Sequence, residues 1–335
     1  MYFRSEVFTI HIQILNLNAS YDHTGICYKS IAGQTVVRVD EVVALASGKG
    51  VDVARTLHAL GFTNYTVSNV VGGKIGRLIE EELQREGLNC WNYHIANESR
   101  VNYALVDAER DCTLMINEKG PLMSDAEKRQ YLAELSDWLR PEQVLVIAGS
   151  ATQGFTSEDL ADIVAMGNEK GMLVAVDTSG PLLSGILDRP IDLLKINHHE
   201  FKQHYGRKYD YTFDEPSHFV SVIEAEGLSH AVITMGRRGA LAYRDGQMLA
   251  AEPMRVVSNY AIGSGDAFLA GYLLGMINDE SLEECLLRGM ACGMANTLSY
   301  GPGRVTRYDV EESKQYVAIK PYERVQKEWA RVVDK

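Results

Sequence analysis

Phe8, Ile10, Ile12 and Ile14 alternate with Thr9, His11 and Gln13, the two-residue period of a strand with one buried face. From about Asp22 to Ala46 the chain breaks into short extended pieces, Thr35-Val36-Val37-Arg38-Val39 among them, with no helical period. The period changes after Gly48-Lys49-Gly50: Val51, Ala54, Leu57 and Leu60 share one face, and Gly61 ends that helix. Ile75, Leu78, Ile79 and Leu83 form a second amphipathic face, closed by Gly87. From about Trp91 to Asn117 the texture is extended again. Val101, Tyr103 and Leu105, then Leu114 and Ile116, flank a polar turn at 107–111 and predict a hairpin.

Beyond this point apolar runs alternate with amphipathic segments. Val144 to Ala148, Met172 to Val176, Leu193 to Ile196 and Ala231 to Thr234 read as strands with helices between them. Apolar strands alternating with helices predict a parallel sheet covered on both faces. Asp245-Gly246 joins two short apolar runs as a tight hairpin. The last third is helical: Gly265 to Ile277 has an apolar face, Ser281-x-x-Glu284 is a capping box, and a short amphipathic helix is expected after Lys320. The expected architecture is one doubly wound α/β domain spanning 1–335. Two early β segments, about 20–46 and 91–118, interrupt it and could form a small separate sheet.

Composition narrows the partners. The 335 residues are 46% hydrophobic, with 33 basic against 45 acidic side chains, a net charge of −12. An acidic chain without a Lys/Arg-rich run is a poor match for nucleic acid or an anionic membrane, so an anionic ligand needs a locally basic pocket. No apolar run reaches the length of about 18 residues that a membrane helix needs, and the N-terminus has no signal-peptide block. Five scattered cysteines, Cys27, Cys90, Cys112, Cys285 and Cys292, include no C-x-x-C pair and read as thiols in a reducing compartment. The expectation is a cytoplasmic protein.

The sharpest chemical segment is Gly263-Ser264-Gly265-Asp266 at the start of a helix. Its glycines let backbone N–H groups converge where the helix dipole already favours an anion. Asp266 stands beside that spot as a proton acceptor, suited to take the proton of a hydroxyl attacking a phosphoryl group. Alone, the same four residues are equally a capped turn. In company they are more: Gly-Ser-Gly-Asp-Ala-Phe-x-Ala-Gly and Ser47-Gly48-Lys49-Gly50-Val51-Asp52-Val53-Ala54-Arg55 resemble the two signatures of the PfkB (ribokinase-like) carbohydrate kinase family. Between them, in family order, lie Asp22 after the first strand, Val71-Gly72-Gly73-x-x-Gly76, Gly149-Ser150, Asp177-Thr178-Ser179-Gly180, Asn197-x-x-Glu200 and Thr234-Met235-Gly236-x-x-Gly239. The resemblance runs over about residues 8–318, and Gly-Lys-Gly with Asp-Thr-Ser-Gly is most similar to the 1-phosphofructokinase and tagatose-6-phosphate kinase branch.

The resemblance implies a ribokinase-like fold, mostly parallel, with a β-sheet lid, and ATP and Mg²⁺ as co-substrate and metal. It implies Asp266 as base, with Gly263, Ser264 and Gly265 as an oxyanion hole. It implies Asp22, Gly48, Asp52, Asn102 and Ser150 around the sugar, and Arg38, Lys49 and Arg100 on a substrate phosphate, which arginine can grip with two parallel bonds. Asn197 and Glu200 would serve nucleotide and metal; Thr234, Gly236 and Gly239 would approach the nucleotide phosphates and ribose, and Asn296 the adenine. A homodimer through the lid is also implied. Read without the resemblance, each basic residue is a solvated charge, and Asn-His-His-Glu is a helix cap, with no third ligand spaced to make His198 and His199 a zinc site.

Several positions depart from the pattern. Asp52 stands where the family usually has Asn, Ser47 replaces a glycine, Ala104 replaces a common Lys, Ala261 a Thr or Pro, and the segment after Gly149 lacks Leu-Pro. The transfer machinery is intact and the sugar side is altered. The expected activity is therefore phosphorylation of a ketohexose phosphate, of the tagatose-6-phosphate or fructose-1-phosphate type. An unphosphorylated sugar or polyol as acceptor, and a weakly catalytic sugar- or nucleotide-binding regulator, are the alternatives. A dinucleotide oxidoreductase fails on the spacing around Gly72 and Gly73.

Overall fold

The computed structural model describes residues 10–209, 216–255 and 260–321. The first half of the chain forms β1 (Ile12–Asn16), β2 (Ser20–Cys27), β3 (Glu41–Ser47), α1 (Lys49–Ala59), β4 (Tyr65–Gly72), α2 (Gly73–Arg85), β5 (Cys90–Ile95), β6 (Arg100–Asp107), β7 (Cys112–Asn117) and α3 (Asp125–Trp138). There follow β8 (Val144–Ala148), α4 (Ser157–Glu169), β9 (Leu173–Asp177), α5 (Gly180–Ser184), β10 (Leu193–Asn197), α6 (His198–Tyr209), α7 (Pro216–Ala225) and β11 (His230–Thr234). The chain closes with β12 (Ala240–Arg244), β13 (Gln247–Pro253), α8 (Ser264–Ile277), α9 (Leu282–Asn296), α10 (Arg307–Lys314) and β14 (Val317–Pro321).

The strands assemble into a ten-stranded sheet, in the order β14-β13-β12-β11-β10-β9-β8-β1-β4-β5, and a four-stranded sheet, β3-β2-β6-β7. From β5 to β11 every neighbouring pair in the large sheet is parallel. The β11-β12-β13-β14 end is antiparallel. Side chains alternate between its two faces. Leu15, Leu145, Val176, Leu194 and Ile196 pack in one core with residues of α3, α4, α6 and α7. Ile14, Val146, Ala175, Leu193 and Val232 pack in the other with α1, α2, α8 and α9. Burial on both sides is why these strands read as unbroken apolar runs. Helix α8 is buried over nearly its whole circumference, so it has no polar face.

The pattern misassigned a few elements. Thr35 to Val39 form no strand; Val39 instead packs over Gly25, where a Cβ would meet its Cγ1 at 2.6 Å, and Val36 is exposed. Strand β5, expected within the lid, pairs in parallel with β4 at the edge of the large sheet. Strands β4 and β14 were not read from the pattern. Phe8 and the helix expected at the C-terminus lie outside the described residues. No helix among the described residues is long and apolar enough to cross a membrane.

In the large sheet the chain steps outward from β1 through β4 and β5, then returns to β8 on the other side. The carboxyl ends of β1 and β8 therefore flank a switch point, where open α/β sheets form a crevice. The small sheet stands over this end.

Candidate active site

A cavity of about 1050 Å³ opens at the carboxyl ends of the parallel strands. Its floor is the N-terminus of α8. Gly263 caps that helix with φ 80°, a left-handed conformation that favours glycine, and a Cβ there would come within 2.5 Å of Pro302. The turn is tight: Ser264 N–H donates to Ala261 O at 3.2 Å, and Asp266 and Ala267 N–H both reach Gly263 O. Among the described residues the N–H of Gly265 takes no acceptor, as expected of the unpaired donors that open a helix. Behind the turn, Asn296 donates to Ile262 O at 2.9 Å and to Ser264 Oγ at 3.1 Å, and accepts from Gly303 N–H at 2.8 Å. Asn296 is fully buried and lies outside the cavity wall. Its place is under the 263–266 turn, bracing it.

Asp266 is 7% exposed. Burial pushes its carboxyl up to about 7; Lys49 and Lys195 pull it down, while Asp177 and Glu200 add to the rise. Lys49 Nζ donates to Asp177 Oδ1 at 2.9 Å and lies 3.7 Å from Glu200. Lys195 Nζ takes the other oxygen of Asp177 at 2.5 Å. Burial by itself would lower the Lys49 ammonium, but Asp177, Asp266 and Glu200 outweigh it and hold it above its usual value. Burial by itself would raise Asp177, yet Lys195 and Lys49 keep it below the usual carboxylate range.

The small sheet and α1 supply the other end of the cavity. Asp22 Oδ1 accepts from Ser20 Oγ at 2.7 Å and from Asn102 Nδ2 at 2.9 Å, and Asn102 Oδ1 is buried with no partner among the described residues. Asp52 accepts from Ser47 Oγ at 3.1 Å and from Arg55 at 3.0 Å. Burial drives its carboxyl well above the usual range against the pull of Arg55, with Asp266 and Asp22 adding to the rise. Arg100 donates to Asn18 O at 2.9 Å and to Glu118 O at 3.3 Å; burial lowers its guanidinium, partly offset by Asp22 and Glu118.

Most of the expected site residues converge. Asp22, Gly48, Lys49, Asp52, Arg100, Asn102, Asn197, Thr234, Gly236, Gly239 and the 263–266 turn all line the one cavity. Arg38 does not: it is exposed on the connection between β2 and β3. Ser150 is exposed outside the wall, where it accepts from Asn18 Nδ2 at 3.0 Å. Asn197 and Glu200 form a reciprocal cap on α6, Asn197 Oδ1 accepting from His199 and Glu200 N–H and Glu200 Oε2 from Asn197 N–H at 3.1 Å. That leaves Glu200 Oε1, near Lys49, as the freer oxygen. Among the described residues no group of three or more His, Cys, Asp or Glu side chains could hold a metal ion. Sequence reasoning missed Lys195, although a lysine inside the buried run Leu193-Leu194-Lys195-Ile196 was itself the signal. It also missed Arg237, Arg255 and Tyr316 of the cavity wall.

The pfkB family carbohydrate kinase profile matches residues 16–307. A tagatose-6-phosphate kinase from Staphylococcus epidermidis is 27% identical over 287 residues, 85% of this chain and 92% of that protein. Among solved structures, phosphofructokinase-2 from Escherichia coli in complex with substrates and products is 25% identical, with a TM-score of 0.82 over 92% of this chain and 99% of its own. A possible 1-phosphofructokinase from Thermotoga maritima, 19% identical with a TM-score of 0.81 over 93% of this chain and 99% of its own, shares the fold. With residues 16–307 matched by the family profile, this chain belongs to the pfkB family of carbohydrate kinases.

Proposed function

We propose that the chain transfers the γ-phosphoryl group of ATP to a hydroxyl of a ketohexose phosphate, of the tagatose-6-phosphate or fructose-1-phosphate type. One observation carries this reading: a buried carboxyl, Asp266, beside the unpaired Gly265 N–H at the mouth of α8, inside a cavity large enough for a nucleotide and a sugar. The acceptor oxygen attacks the γ-phosphorus, its proton passes to Asp266, and the bond to the bridging oxygen breaks to release ADP. The N–H groups of the 263–265 turn stabilise the charge on the transferred group. Thr234, Gly236 and Gly239 line the nucleotide side and Asp22 and Asn102 the sugar side. Magnesium fits the donor set, because a hard cation that keeps several waters needs only a carboxylate such as Glu200 besides the phosphate oxygens. When bound it neutralises triphosphate charge. The name of the staphylococcal relative supports a phosphorylated acceptor, and Arg100 on the cavity wall is the residue to meet its phosphate.

A second reading, an unphosphorylated sugar or polyol as acceptor, is favoured by one feature. Asp22 and Asp52 both face the sugar end, and Arg38 stands outside it. An ADP-release assay over tagatose 6-phosphate, fructose 1-phosphate, fructose 6-phosphate and the free sugars decides between them. Turnover confined to free sugars would overturn the first reading, and ATP and sugar binding without turnover would point to a regulator.

The outer face of the lid is apolar and exposed at Val42, Tyr103, Leu114 and Ile116. These residues support a homodimer joined lid to lid, and the described fold fits a cytoplasmic enzyme.

A further inference from the structure

Tyr260 has no part in the reading above, yet it touches both ends of the site. It stands three residues before Gly263, the cap of α8, and lines the same cavity as Asp22 and Asp266. Only 2% of it is exposed, so it offers little surface to a bound sugar. Its ring packs with Ile26 and Val106, and its hydroxyl shares a 3.2 Å hydrogen bond with Thr24 Oγ1. Those three partners all belong to the small sheet. In the parallel register of β2 and β6, Asp22 stands opposite Asn102, Thr24 opposite Ala104 and Ile26 opposite Val106. Rows two residues apart share a face. The tyrosine is therefore anchored in the two rows next to Asp22 and Asn102, on the face that carries them.

Its other contacts run to the turn. Ile262 packs against the same cluster, as does Tyr300, whose ring lies 5.9 Å from that of Tyr260. The main-chain oxygen of Ile262 is the one that Asn296 holds at 2.9 Å. The 263–266 turn is thus braced on two sides, through Asn296 to α9 and through Tyr260 to the small sheet. Apolar packing alone is non-directional. The bond to Thr24 is directional, and it fixes where strand β2 sits relative to the turn.

We propose that Tyr260 is a positioning residue that sets strand β2 against the Gly263–Asp266 turn, so that an acceptor hydroxyl held at Asp22 meets Asp266 in register. The inference rests on the phosphotransfer reading. Tyr260 touches no reacting atom. It fixes the separation between the strand assigned to the acceptor and the turn that carries the base, and a misplacement of about 1 Å between reacting groups can cost up to roughly 10²-fold.

The test uses the full chain and the acceptor that the wild type turns over best in the assay above. Tyr260→Phe keeps the ring and removes the hydroxyl; Thr24→Val keeps the strand's shape and removes the other half of the bond. Rates are expressed per site titrated with a non-hydrolysable ATP analogue, so that unfolded protein does not count. Each single variant should lower kcat about fivefold, the scale of one buried hydrogen bond, with KM for ATP within about twofold of the wild type. The double variant should be no slower than either single one, because the bond is lost only once. A double variant slowed about 25-fold, the product of two independent effects, overturns the proposal. Return of the double variant to the wild-type rate also overturns it, since the single variants would then suffer only from a stranded hydroxyl. So does a set in which urea titration shows the two residues coupled in stability while kcat per titrated site stays normal, the mark of a purely structural bond. A wild-type chain that turns over no sugar or sugar phosphate sinks the underlying reading instead, and the inference with it.

Discussion

Asp266 illustrates how one residue's surroundings set both its chemistry and its cost. Burial raises its carboxyl from 3.8 to about 7, with Lys49 and Lys195 holding it from going higher. A general base works best when its affinity for the proton is matched to the working pH. Turnover should therefore rise with pH through about 7 in the free enzyme, and a kcat/KM profile that stays flat from pH 5.5 to 8.5 would contradict this. Asp266→Asn should lose about 10²-fold or more in kcat, the range for such groups, while calorimetry shows ATP binding nearly unchanged. The same shift has a stability consequence of known sign. A carboxyl whose folded pKa is raised binds more protons in the folded state, so its contribution is present below its unfolded pKa and is lost as pH climbs through the folded one. Asp266→Asn should thus melt a few degrees higher than the wild type at pH 8 and show little difference near pH 4. Arg100 offers a separate check on the substrate: Arg100→Ala should raise KM more for a phosphorylated sugar than for its free counterpart, and equal effects would remove it from the phosphate. Of these residues, Asp266 and Arg100 were legible because a glycine turn and a family landmark flank them. Lys195 was not, because the ion pair that accompanies its burial comes from β9 lying beside β10, and no local spacing encodes that pairing.

Elements are tied together here by Arg55. From α1 it donates to Glu86 after α2 at 2.6 and 2.9 Å, to Asp52 at 3.0 Å, to Ala46 O on lid strand β3 at 2.5 Å and to Pro302 O at 2.9 Å. Every donor is used and the side chain is buried. Removing one partner of a buried charge network costs about 3–5 kcal/mol because the remaining charges are stranded. Arg55→Met should therefore lower stability by that order in a urea titration and remove the tie between α1 and β3. A loss below about 1 kcal/mol would mean that the network is solvated. This network also bears on Asp52, which departs from the family's Asn. Burial, which favours the protonated carboxyl, and the neighbouring Arg55 both keep Asp52 from repelling a phosphate as an isolated carboxylate would. At this scale the pattern was a good guide wherever a strand was buried on both faces or a helix carried a stripe. It failed where tertiary contact decides. Val39 packs over Gly25 without pairing in the ladder, and β5 joins the large sheet at its edge because β4 runs beside it in parallel, a long-range pairing that alternation alone cannot assign.

The whole molecule presents one surface whose composition is out of keeping with solvent. On the lid, residues alternate between two sides. Asp22, Asn102, Met115 and Asn117 turn toward the cavity, and their neighbours His23, Tyr103, Leu114 and Ile116 turn away from it. Tyr103, Leu114 and Ile116 are 48%, 58% and 57% exposed, on adjacent paired strands. Singly exposed apolar side chains are ordinary, but a contiguous patch on a sheet marks a place of contact. Two such faces would be self-complementary about a twofold axis, as a closed dimer requires. Such a dimer would also brace each lid against its partner, fixing the strands that carry Asp22 and Asn102 over the sugar. The dimer should then be needed for acceptor binding more than for ATP binding. Sedimentation of the wild type should give twice the 37.2 kDa chain mass. Leu114→Glu combined with Ile116→Lys, both on the outer face and clear of the cavity, should give monomers with raised acceptor KM and nearly unchanged ATP affinity. A wild type that stays monomeric at tens of micromolar, or a variant that still sediments as a dimer, would place the contact elsewhere and leave the apolar face of β6 and β7 without this role.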